Sequence, residues 1–204
     1  MLGPVRRTGR KLLNFDRKLG VRFVAGADEA GRGSLAGPLV TAAVLFDYDC
    51  LRDHRVRPLS LLNDSKQLTG DERESLFRAV SGCAERIAVR IIPPAVIDRD
   101  GLHRSNLRGL RETLADLCPP AEACLVDGDE KSAAIAAASV IAKVVRDRTM
   151  RRMDALYPHY GFASHVGYIT PRHSAVVRER GPCEIHRLSF EARSYAEHAA
   201  GLGG

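Results

Sequence analysis

VRFVAGADEAGRGSLAGPLVTAAVLF, residues 21–46, decides how this chain folds. Val21 to Ala27 is a short run of strand formers, stopped by Asp28 and Glu29. Gly31-Arg32-Gly33 has the composition of a turn, and Leu39 to Phe46 then reads as a second, buried strand. Downstream, Leu51 to Ser60 is basic and irregular and reads as a loop. Asp71 to Arg86 fits a helix capped by Thr69, with Leu76, Phe77 and Val80 on one face. Ile87 to Ile92 reads as a strand ended by Pro93-Pro94, and Leu107 to Leu117 as a helix closed by Pro119-Pro120. A short strand, Cys124 to Asp127, precedes a long helix, Lys131 to Met153, whose AAIAAASVIAK run permits close packing on a sheet. From Tyr157 the chain is rich in His, Pro and Gly, with one more helical segment near His173 to Arg180. Strands first, then strands alternating with helices, predict an α/β domain around a mixed sheet.

Upstream of the opening strand, residues 1–20 carry Arg6, Arg7, Arg10, Lys11, Arg17 and Lys18 against one acid, Asp16. This basic arm reads as solvated and frayed, with a supplementary phosphate contact as its functional alternative. The whole chain has a formal net charge of +6 and a pI near 9.3, which favours an anionic partner, nucleic acid first. Five cysteines, at 50, 83, 118, 124 and 183, form no C-x-x-C pair, and the odd count argues against a closed disulfide framework. A reducing cytoplasm is the expected setting. The longest apolar stretch, Ala133 to Val145, is interrupted by Lys143 and is too short to span a bilayer.

Four stretches carry chemistry. Asp28-Glu29 sits where the first strand is expected to end, and two adjacent carboxylates there suit a hard cation such as Mg²⁺ or Mn²⁺. Consecutive strand residues face opposite ways, so both acids reach one centre only if the chain turns, and Ala30-Gly31-Arg32-Gly33 is expected to supply that turn. A dinucleotide fingerprint is matched only imperfectly, because the third glycine, Gly37, falls one residue late, and a nucleotide-cofactor enzyme has nothing else behind it. Asn63, Ser65 and Lys66 form a polar loop suited to phosphate contacts. Asp127 and Asp129 lead into the long helix and, being two apart, would share one face of an extended chain. His159, His165 and His173 match no zinc spacing, and Tyr168 is an aromatic in a glycine-rich loop able to stack on a nucleotide.

Taken in order, DEAGRGSLAGP, LNDSKQL, LVDG, DEKSAAIAAASVIAKVVRDR, YGFASHVGYIT and GPCEIHRLSF resemble the blocks of the ribonuclease HII family over most of residues 22–192. The resemblance implies a ribonuclease H-like fold, a central mixed sheet flanked by helices with a helical C-terminal extension. It implies a catalytic domain over residues 21–155 and a substrate-binding extension over 156–204. The implied activity is two-metal hydrolysis of the RNA strand of RNA–DNA hybrids, including 5′ of single ribonucleotides embedded in duplex DNA. Asp28, Glu29, Asp127 and Asp129 would carry Mg²⁺ or Mn²⁺; Gly31, Arg32 and Gly33 would read the ribonucleotide and its 2′-hydroxyl. Tyr168 would stack at the RNA–DNA junction, and Asn63, Ser65 and Lys66 would hold the backbone. A cytoplasmic monomer with no membrane partner completes the expectation. Three positions depart from the family pattern. A substantial connection separates the two downstream aspartates in the family, whereas only Gly128 lies between Asp127 and Asp129; the alternative expectation is therefore an impaired hybrid-binding protein. Val166 stands where the family usually has Lys, and Ser34 where Pro is common.

Overall fold

A computed structural model of the chain describes residues 9–51, 57–62, 69–118, 120–126 and 131–201. Asn63, Ser65, Lys66, Asp127 and Asp129 therefore lie outside the described residues. The elements run α1 (Gly9–Arg17), β1 (Phe23–Ala30), β2 (Leu39–Asp47), a 3-10 turn (Pro58–Leu61), α2 (Gly70–Cys83), β3 (Arg86–Ile92), α3 (Pro94–Asp100) and α4 (Leu102–Ala115). They continue with β4 (Ala123–Val126), α5 (Ala133–Leu156), α6 (Phe162–His165), α7 (Pro171–Arg180), a second 3-10 turn (Leu188–Phe190) and α8 (Arg193–Gly201). No helix among the described residues is long and apolar enough to cross a membrane.

The strands form one mixed sheet in the order β3-β2-β1-β4, flanked by helices. β4 runs parallel to β1, Val24 opposite Ala123 and Ala27 opposite Val126. The chain divides into two compact units, one of Met1–Ala30, Thr41–Arg90 and Arg108–Val144, the other of Gly31–Val40, Ile91–Leu107 and Val145–Gly204.

In the first unit, alternation along the strands sends Ala25 and Ala27 of β1, Ala43 and Leu45 of β2 and Ala88 of β3 to one core with Leu110 and Leu114 of α4. Gly26, one step out of that register, faces α5, where an added Cβ would collide with the backbone of Ala134 and Ile135. The small residues of α5 and this glycine let helix and strand approach to backbone contact. α2 begins with a capping box: Thr69 Oγ1 accepts the Glu72 N–H at 3.3 Å and the Glu72 carboxylate accepts the Thr69 N–H at 2.8 Å.

The N-terminal arm differs from expectation. Gly9–Arg17 is a helix with Leu12, Leu13 and Asp16 buried. Its physical reason lies elsewhere in the chain: Asp16 Oδ2 accepts the Ala134 N–H of α5 at 3.0 Å and the Tyr48 hydroxyl at 2.7 Å. The carboxylate thus sits at the positive end of a 24-residue helix, beside Ser132, whose hydroxyl accepts the Ile135 N–H at 3.3 Å. Burial nonetheless raises the Asp16 pKa, outweighing those hydrogen bonds.

In the second unit, Ala36, Met150, Tyr160, Phe162 and Val177 form one core, and Leu39, Ile92 and Ile97 another. Asp98 of α3 accepts the Leu188 and Ser189 N–H groups, each at 3.0 Å, and the Ser189 hydroxyl at 2.6 Å, fixing the second 3-10 turn. α3, α6 and α8 carry no periodic apolar run long enough to mark them in the sequence, although Pro94 at the first turn of α3 is a recognisable start signal.

Candidate active site

Asp28 and Glu29 lie inside β1, which continues through Ala30. The strand thus runs past the two acids that are expected to stop it, and the reversal comes after both, at Gly31 with φ +91°, inside the Ala30-Gly31-Arg32-Gly33 turn. Both are half-buried. The parallel register of β1 with β4 puts Val126, the last residue of β4, opposite Ala27, the residue before Asp28. Side-chain oxygens alone make up the expected ligand set, and half-buried carboxylates at a strand end fit hard divalent cations. Among the described residues, no group of three or more His, Cys, Asp or Glu is arranged to hold a metal ion. Two of the four expected ligands, Asp127 and Asp129, fall outside those residues.

The second unit contains the glycine loop and Tyr168, and two buried arginines connect them. Arg146 of α5 donates Nε to the Pro38 carbonyl (3.0 Å), Nη2 to the Ala36 carbonyl (3.2 Å) and Nη1 to the Val166 carbonyl (2.9 Å). Its guanidinium also lies 5.4 Å from the centre of the Tyr168 ring. Gly31 packs on the same guanidinium so closely that a Cβ would collide with it. Arg187 donates Nε to the Gly37 carbonyl at 2.9 Å and Nη1 to the Arg32 carbonyl at 3.0 Å. Burial lowers the pKa of both; that of Arg187 falls to about 9, with the Arg146 charge as the second cause. The loop is therefore held from behind through its carbonyls. Arg32, Gly33 and Tyr168 are exposed, and nothing lies within 4 Å of where a Gly33 Cβ would be.

The Tyr168 segment is fixed by histidines rather than by a metal. His173 Nδ1 donates to the Tyr168 carbonyl at 2.9 Å, which leaves its Nε2 to accept from His186 Nε2 at 3.0 Å. His186 Nδ1 in turn accepts the Cys183 N–H at 2.9 Å. His165 donates Nε2 to the Tyr160 carbonyl at 2.9 Å, accepts the Gly167 N–H at 3.2 Å on Nδ1, and stacks on His173 with centroids 4.3 Å apart. Every ring nitrogen is used and all three imidazoles are neutral in this arrangement, so none is left to bind zinc. Burial holds His173 and His186 down at about 4. Val166, between these groups, has φ +43°, a costly conformation for a β-branched residue, stabilised by the Arg146 bond to its carbonyl.

A family model described as ribonuclease HII matches residues 25–127 and 123–193. The chain belongs to the ribonuclease HII family. A ribonuclease HII from Salinispora tropica is 45% identical over 93% of this chain and 77% of its own length. Another, from Geobacillus kaustophilus, is 43% identical over 88% and 74%. The ribonuclease HII of Archaeoglobus fulgidus, solved in complex with PCNA, shares the fold at a TM-score of 0.67 with 27% identity, over 82% of this chain and 93% of that one. As a ribonuclease HII family member, the protein is a metal-dependent endoribonuclease that cleaves the RNA strand of RNA–DNA hybrids. The family match comes in two pieces that overlap at residues 123–127, where the connection between Asp127 and Asp129 is short.

The positioning residues Arg146, Arg187 and His186 carry no assigned role in the sequence reading. A signal for Arg146 was present: Ala142, Arg146 and Met150 share one buried stripe of α5, and a cation on such a stripe must bind something.

Proposed function

We propose that this ribonuclease HII family member also cuts duplex DNA on the 5′ side of a single embedded ribonucleotide. Asp28, Glu29, Asp127 and Asp129 would hold the divalent ions, Mg²⁺ or Mn²⁺. When bound, a pair of such ions supplies an activated water and neutralises the leaving oxygen of the phosphodiester. The supporting observation is the pinned Gly31–Arg32–Gly33 loop, exposed at Arg32 and Gly33 and sharing Arg146 with Tyr168. A 2′-hydroxyl is the only local difference between ribose and deoxyribose, so single-ribonucleotide specificity needs a backbone surface that approaches the sugar closely and does not yield. Gly33 leaves room for that approach, and Arg146 and Arg187 supply the rigidity. Tyr168 would stack on the sugar-base step beyond the ribonucleotide, and Asn63, Ser65 and Lys66 would contact phosphates that set position rather than specificity. A monomer in the cytoplasm completes this reading. The impaired, binding-only alternative has no support in the family comparisons.

The test is cleavage of a duplex DNA containing one ribonucleotide, with Mg²⁺, Mn²⁺ or chelator, beside an RNA–DNA hybrid and an all-DNA duplex. A metal-dependent nick at the ribonucleotide is the expected result. Cleavage of the hybrid without that nick refutes the single-ribonucleotide reading. Normal hydrolysis by Asp127→Asn refutes the role given to Asp127.

A further inference from the structure

Cys118 lies in the turn after α4, and Cys124 is the second residue of β4. Their Sγ atoms are 3.9 Å apart and both residues are exposed. Neither has a part in the hydrolysis described above.

We propose that Cys118 and Cys124 form a modification site, a dithiol that a hydroperoxide converts reversibly into an intramolecular disulfide. A disulfide has an S–S length of about 2.05 Å, so closing the pair asks each sulfur to move by about 1 Å, within a side-chain adjustment. Burial, and then the Cys118 hydrogen bond, raise the Cys124 thiol above its ordinary range, which disfavours Cys124 as the first sulfur oxidised; the route therefore starts from Cys118. The Cys118 thiolate attacks one peroxide oxygen; the O–O bond breaks, an S–O bond forms, and the departing hydroxide leaves as water with the thiol proton. The Cys124 thiolate then displaces hydroxide from that sulfur; the S–S bond forms, the S–O bond breaks, and a second water leaves. Two thiols and one hydrogen peroxide give one disulfide and two waters, each sulfur losing one electron. The bridge ties the turn after α4 to β4, the strand at the end of the sheet beside β1.

The test uses the native full-length protein treated with hydrogen peroxide, then alkylated and digested with trypsin. Cleavage after Arg111 and Lys131 leaves both cysteines on one peptide, residues 112–131. The expected peptide is two hydrogens lighter, resists alkylation, and regains both reactive thiols after dithiothreitol. Cys118→Ser and Cys124→Ser each abolish this product, while a Cys50→Ser, Cys83→Ser, Cys183→Ser triple variant forms it at the wild-type rate. Recovery of the peptide with both thiols alkylated, or with separate sulfinic acids, overturns the proposal. So does equal bridge formation in urea, because the fold would then contribute nothing to the pairing.

Discussion

Acid should destabilise this protein through the His173–His186 pair. Both imidazoles are at most 2% exposed, and their Nε2–Nε2 bond exists only while one ring nitrogen is bare. A proton added to either ring places two N–H groups face to face, with His165 stacked alongside and Cys183, Tyr160 and Tyr195 around them. Each group titrates at about 4 in the folded chain against 6.5 when unfolded. The unfolded state therefore binds more protons between these values. Stability is fully present above about pH 6.5 and falls progressively as pH drops toward 4. At pH 5 each histidine costs about 2 kcal/mol relative to pH 8, about 4 kcal/mol for the pair if they titrate independently. That is a large part of the roughly 5–15 kcal/mol by which domains are stable. Urea midpoints at pH 8 and pH 5 measure the loss, and His173→Gln should shrink the difference by about half. NMR titration of the wild-type imidazoles gives a second reading, with two rings staying neutral down to about pH 4. A urea midpoint that is flat from pH 7 to 5, or unaltered in its pH dependence by His173→Gln, refutes the reasoning.

Gly26→Ala should cost at least about 1–3 kcal/mol in urea unfolding, because its methyl meets the Ala134–Ile135 backbone rather than a side chain able to move. Arg146→Met strands the Ala36, Pro38 and Val166 carbonyls; a rise in KM for a ribonucleotide-containing duplex larger than any fall in kcat is the expected kinetic signature. Val166→Lys relieves a β-branched residue at positive φ and offers a phosphate contact, so the slope of log binding against log salt should steepen by about 0.9. Deleting residues 1–20 should lower the urea midpoint, since burying a leucine is worth about 1.5–3 kcal/mol and both Leu12 and Leu13 are lost. Replacing only the exposed Arg10 and Lys11 by Gln should leave that midpoint unchanged.

By itself the sequence determined the strands, the long helix and the family. Hydrophobic runs such as Leu39 to Phe46 and the Ala-rich start of α5 bury themselves wherever they lie, and six motifs in a fixed order leave little freedom in the assignment. The Thr69–Glu72 box was legible for the same reason: its partners are three residues apart. Contacts between residues remote in the chain were decided only by tertiary structure. Asp16 looked like a stray acid in a basic arm because the helix end it stabilises lies at Ala134, 118 residues away. Asp28 and Glu29 looked like the stop of the first strand because they are polar, yet β1 continues through Ala30. His165 and His173 looked like loop or substrate-facing residues and His186 had no assigned role, with nothing in their spacing to reveal a network. Which nitrogen meets which carbonyl depends on three segments folding together, and local sequence carries no record of that.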